Sequence, residues 1–163
     1  MTSGEDAHRI DAAIDESEQL VRNMAGPIRN RPDTPLLEGA WTVRDTLCHV
    51  AARANDVPLI LRLTNPRTSE EASSMMAELD ATNARQIADR SARTVDELVA
   101  EALAGYAAAH VAVSELGDAQ LEQILQVPGM GPTRLADLLV LTYQGHAQTH
   151  LRSIEAALAA ERS

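Results

Sequence analysis

His146 and His150 stand four residues apart, a spacing that on a helix sets two imidazoles one turn above the other, both able to reach a shared ion. By itself the pair is a weak sign of metal, because two histidines at this spacing often arise by chance. The bland alternative is a pair of core or boundary histidines, each hydrogen-bonded to a neighbouring helix. Against it, two imidazoles on one inward stripe need partners for both nitrogens of each ring, and a metal supplies one partner per ring. Gly145 beside them would let another backbone or a ligand come close, at a helix-propensity cost of about 1 kcal/mol. His49 falls on a second stripe with Thr42, Thr46, Arg53 and Asp56, which reads as the wall of a site or, more blandly, as a solvated flank.

Other residues around these three are candidates for the same pocket. Asp56, two turns after His49, suits a hydrogen-bond acceptor behind a ligand or a general base, although the Pro58 that follows also makes it a candidate cap. His110 lies one turn from Tyr106 and is read as a fourth ligand, an acid–base group or a hydrogen-bonded core histidine. Tyr143 and Asn83 are expected to line the pocket. Trp41 is expected to plug the end of the bundle or touch a substrate. Cys48 neighbours His49 but projects about 100° away on a helix, so it is read as a small buried residue and not a nucleophile. The turn Gly129-Met130-Gly131-Pro132 is a candidate lid.

These residues need long helices to position them, and the sequence is punctuated accordingly. Ile10, Ala13, Ile14, Ser17, Leu20, Val21 and Met24 recur at helical spacing over 5–24, before Gly26-Pro27 ends or bends the segment. The stretch 30–40, with Pro32, Pro35 and Gly39, suits a loop across one end of a bundle. Thr42 with Asp45 forms a capping box that opens a second helix, which Pro58 should kink near Ala54. After Asn65-Pro66 a helical stretch over 69–90 reads as a crossover segment. Thr94 with Glu97 is a second capping box, opening a helix that Gly117 stops. The run 117–132 reads as mostly loop, and a last helix over 133–160 carries Leu135, Leu139, Thr142, His146, His150 and Ile154 on one stripe. An all-α four-helix bundle in one domain, 1–163, is the expected architecture.

Composition narrows the function. Phe is absent and aromatics are 2%, so the core must be aliphatic and Ala-rich, which favours helices over strands. A net charge of −10 opposes the counterion release that drives nucleic-acid binding, so neither nucleic acid nor an anionic membrane is an expected partner. All 14 basic residues are Arg, read as coding bias and not as a functional choice. A single cysteine, a polar acidic start and no apolar run of about 18 residues point to a cytoplasmic location.

Two motifs make the residues recognisable. Trp41-Thr-Val-Arg-Asp-Thr-Leu-Cys-His49-Val-Ala resembles the opening of the second helix in DinB-like proteins and in the N-terminal domains of mycothiol-dependent maleylpyruvate isomerases. Tyr143-Gln-Gly-His146-Ala-Gln-Thr-His150-Leu-Arg-Ser-Ile resembles their last-helix motif. The likeness extends loosely to Leu79-Asp-Ala-Thr-Asn83-Ala-Arg and the stretch 94–116. It implies that His49, His146 and His150 ligate one divalent ion, zinc first, with nickel or another as alternatives. The isomerases look to carry a Glu in place of His146, so the three-His pattern is closer to the wider DinB group. The sequence also ends without the second domain of those isomerases, and their particular reaction is not implied.

Three neutral imidazoles would keep the ion's double charge and leave at least one position open. In the family this chemistry appears as S-transfer from mycothiol, bacillithiol or glutathione. The implied function is therefore a metal-dependent thiol transferase acting on a small electrophile, in a protein expected to dimerise. The alternatives are a non-enzymatic metal- or ligand-binding module related to stress, and a bundle without metal that dimerises through an apolar face.

Overall fold

Capping and aliphatic periodicity build the helices where the residues call for them. In this computed structural model, which describes residues 3–62, 69–127 and 130–160, α1 spans Ser3–Asn30, α2 Val43–Arg53, α3 Val57–Arg62, α4 Ser69–Ala88 and α5 Val95–Ser114. Both capping boxes form as the sequence proposes. Asp45 N–H donates to Thr42 Oγ1 at 3.1 Å while the Asp45 carboxylate accepts from Thr42 N–H at 2.9 Å, and Thr94 with Glu97 repeats the arrangement. The last helical run is α7 (Leu135–Leu141), a π-helical turn over Thr142–Ala147, and α8 (Gln148–Ala160).

Cross-element bonds fix the helix directions. Asp6, Ser17 and Arg31 of α1 and its end meet Arg134, Tyr143 and Leu158 in turn, so α1 and the last run are parallel. Arg29 with Asp96, and Asp11 with His110, make α1 and α5 antiparallel. Arg44 donates to the Arg93 carbonyl and Gly105 lies against Ala54, so α2 and α5 are parallel. Two consecutive bundle helices that run the same way need a long return path between them, and α4 is that crossover. The core is the aliphatic set of Ile10, Ile14, Val21, Ile28, Leu47, Leu98, Leu139, Leu151 and Ile154, closed by Tyr106 and Tyr143.

Several boundaries differ from the sequence reading. α1 continues past Gly26-Pro27 to Asn30. Proline within a last turn removes one amide bond, and fully buried Ile28 keeps that turn against the core. The kink expected from Pro58 is a break between α2 and α3 at 54–56. The run 117–132 is more ordered than a loop: it holds α6 (Asp118–Leu121) and an antiparallel hairpin of β1 (Ile124–Val127) and β2 (Gly131–Arg134). Gly129 of the candidate lid lies outside the described residues. The hairpin stem is tied to the start of α1 through Arg134 and Asp6, 2.5 Å apart, whereas His146 and His150 follow the residue that meets Ser17. The hairpin thus sits more than a turn or two along the bundle from the histidines, and its anchorage gives no support to a lid. Among the described residues no helix is long and apolar enough to cross a membrane.

Candidate metal centre

His49 sits in the middle of α2, with 1% of its surface exposed. The antiparallel packing of α2 on α8 brings it opposite the last run, so His49 does not lie on a solvated flank. Its Nε2 lies 3.3 Å from Nε2 of His146, and Nε2 of His150 lies 3.2 Å from the same atom. All three ligand atoms fall within 4.8 Å of one another. A tetrahedral ion with metal–nitrogen bonds of about 2.0–2.1 Å separates its ligand atoms by about 3.3 Å, so two edges of the triangle already match. The residues present therefore fit a divalent ion.

Burial prepares the rings for that use. The His49 pKa is pushed down to about 3 by burial first, then by its two histidine neighbours and Arg53. That of His146 falls to about 4 by burial, His150 and Arg53, and that of His150 falls for the same first reason, with Arg53 adding to it. Neutral imidazole is the metal-binding form, and near pH 7 no proton competes at these rings. Nδ1 of His49 is buried without a hydrogen-bond partner among the described residues.

The π turn aims His146. Gln148 N–H reaches back five residues to the Tyr143 carbonyl, and the Ser17 hydroxyl approaches the same oxygen at 3.4 Å. Such bulges recur at functional sites because they re-aim one side chain without ending the helix. Gly145 within it does not admit a neighbouring backbone, contrary to the sequence reading; the nearest atoms to a Cβ there belong to the Leu141 side chain.

The other candidates divide. Trp41 joins the cluster: its ring lies 5.2 Å from that of His49 and stacks on His150 at 5.8 Å and 28°, walling one side. Tyr143 is buried beside Tyr106, ring centroids 6.3 Å apart, and burial and Asp56 raise its pKa. Asp56 is buried and bound to Arg53, and its backbone carbonyl accepts from Ile60 N–H at the start of α3. Asn83 lies on α4, which packs on α2, with Oδ1 buried and unpartnered among the described residues. His110 is hydrogen-bonded, as one of its readings had it, but it lies outside the core and does not join the other three histidines. Its Nδ1 meets Asp11 at 2.7 Å and its Nε2 meets Asp15 at 3.2 Å on the α1–α5 surface, because the face of α5 that holds it packs on acidic α1 and not on the last run. Cys48 is fully buried, as expected.

The sequence reading does not foresee the π turn, for which Gly145 in a helical run is a weak sign.

A bundle with a crossover between parallel helices, and three histidines of the second and last helices meeting at one point, defines a DinB-like protein. The chain belongs to the family described as mycothiol maleylpyruvate isomerase N-terminal domain, matched over residues 10–148. That match includes His49 and His146 and stops two residues before His150. No curated protein matches the chain.

Proposed function

We propose that His49, His146 and His150 hold one divalent ion, zinc in the first instance and nickel as an alternative, and that the chain is a transferase for a low-molecular-weight thiol. The observation that supports this reading is the meeting of three imidazole Nε2 atoms, two of whose three separations match those of a tetrahedral ion. When bound, such an ion supplies a Lewis acid that keeps a thiol as thiolate, the form that attacks electrophiles. The chain's own residues do the rest. Burial keeps the imidazoles neutral, Trp41 stacks on His150 and lies tilted against His49, and the π turn orients His146.

Family membership favours mycothiol as the thiol, with bacillithiol or glutathione as relatives of the same chemistry. The reading takes 1–163 as one domain, acting in the cytoplasm as a homodimer on a thiol and a small electrophile, without nucleic acid or membrane. Purified without a histidine tag, the protein is expected to carry close to one metal ion per chain. His146→Ala should lower its affinity by more than the roughly 10–100-fold that loss of a supporting residue costs. Metal absent from the wild type under replete growth would defeat the reading. Turnover decides between the enzyme and a non-enzymatic metal-binding module: metal-dependent conjugation of mycothiol across an electrophile panel is expected, and its complete lack would favour the module.

A further inference from the structure

The indole of Trp41 lies against ligands from both sides of the candidate centre. Its ring is 5.2 Å from that of His49 on α2, tilted by 49°, and 5.8 Å from that of His150 on α8, at 28°. The two imidazoles meet edge to face, 4.8 Å apart at 74°. An imidazole turns easily about its Cβ–Cγ bond, whose torsion has broad minima, so a ligand ring needs a second contact to keep Nε2 on the ion. In metal sites that contact is ordinarily a hydrogen bond from the ring's other nitrogen to a carboxylate or carbonyl. His49 has none: its Nδ1 is buried with no partner among the described residues. The ring is held by packing instead, and the indole is the largest flat surface in contact with it.

The chain sets that indole in place by itself. Leu36 N–H donates to the Trp41 carbonyl at 3.0 Å, and Pro35 pairs with Thr42 in an antiparallel bridge. Val43 and Arg44 N–H reach back to the carbonyls of Thr34 and Pro32, both at 2.8 Å. Gly39, at φ 85°, turns the chain between. Trp41 is therefore the last residue of a tied loop, directly before the Thr42 cap of the helix that carries His49. We propose that Trp41 is a positioning residue of the metal centre: its face holds the ring planes of His49 and His150, as a supporting hydrogen bond does in other sites. The role rests on the three-histidine reading above and adds to it a contact outside the ligand set.

Metal affinity and the cobalt spectrum test it. Trp41→Leu keeps apolar bulk and loses the flat face, whereas Trp41→Phe keeps a face. Cobalt affinity, titrated on the visible absorption bands, is expected to fall about 10–100-fold in Trp41→Leu, the scale on which supporting partners of metal ligands act. Its bands should shift as the two rings relax. Trp41→Phe should recover most of the affinity and the wild-type bands, with a metal-free urea midpoint close to that of Trp41→Leu. A folded Trp41→Leu that binds cobalt as the wild type does, with the same bands, would overturn the positioning role and leave the indole a plug. Equal losses of affinity in the Leu and Phe variants would overturn it too. Should neither variant fold, the wild type decides. Trp41 is the one tryptophan of the chain, and its emission anisotropy is expected to be as high without metal as with zinc; a rise on zinc binding would mean that the ion orders the indole, the reverse of the proposed role. A wild type that takes up no cobalt would overturn the three-histidine reading, and this role with it.

Discussion

Burial and metal affinity act on the same property of the three imidazoles, the loss of their proton near neutrality. In an unfolded chain a histidine titrates near 6.5, whereas His49 and His146 titrate near 3 and 4 in the fold. Between those values the unfolded state binds more protons, so stability rises with pH. The contribution is therefore fully present above about pH 6.5 and is lost as pH falls toward 4. Asp56, whose pKa burial raises, works in the opposite sense, but one carboxylate stands against several histidines. For metal-free protein the urea midpoint is expected to drop steadily from pH 7 to pH 5, and a flat midpoint across that range would contradict the buried, neutral state of the cluster. Spacing in the sequence made only the pair His146 and His150 legible, and His49 joined them through the family resemblance. The pairing of Arg53 with Asp56 was not legible, since nothing in a stripe of residue types says which partner a guanidinium takes.

At the scale of elements, two glycines look alike in sequence and differ in the fold. A Cβ at Gly105 of α5 would stand 2.6 Å from Cβ of Ala54, at the end of α2, and 3.4 Å from its carbonyl carbon. The first is a methyl with no rotamer to turn aside and the second is backbone, so the helices must part next to the turn that holds Arg53 and Asp56. Gly105→Ala gains about 1 kcal/mol of helix propensity and suffers overpacking of typically 1–3 kcal/mol. Net destabilisation is expected, read as a lower denaturation midpoint. At Gly145 the obstructing atom, 2.8 Å away, is the Leu141 side-chain terminus, which is exposed and can turn aside. Gly145→Ala is therefore expected to be neutral or to stabilise by up to about 1 kcal/mol. Equal losses at both positions would contradict this account. The capping boxes made the starts of α2 and α5 readable in advance. The hairpin of β1 and β2 escaped notice because its strands are only four residues each, too short for period-two alternation to register.

Across the whole molecule, the two segments that bring the histidines together are those whose packing the crossover makes possible. An ion bound by His49 on one side and by His146 and His150 on the other would tie α2 to the last run, and binding to the folded state alone stabilises it by mass action. At a free metal concentration about 100 times the dissociation constant the gain is about 2.7 kcal/mol. Thermal unfolding should shift upward by several degrees on adding zinc or nickel and return on chelation. His49→Ala should abolish the shift even where the variant remains folded. A wild-type melting temperature indifferent to both metals would speak against a shared site.

The sequence alone determined the helical class, the starts of α2 and α5 and the pairing of His146 with His150, because propensity, capping and the four-residue spacing are local properties. Tertiary structure decided what is non-local. It set the convergence of residues 97 positions apart, His49 and His146, sent His110 to the acidic surface of α1, and paired Arg53 with buried Asp56. Each of these depends on which helix faces which, and that follows from burying a whole aliphatic core at once, not from any single stretch of chain.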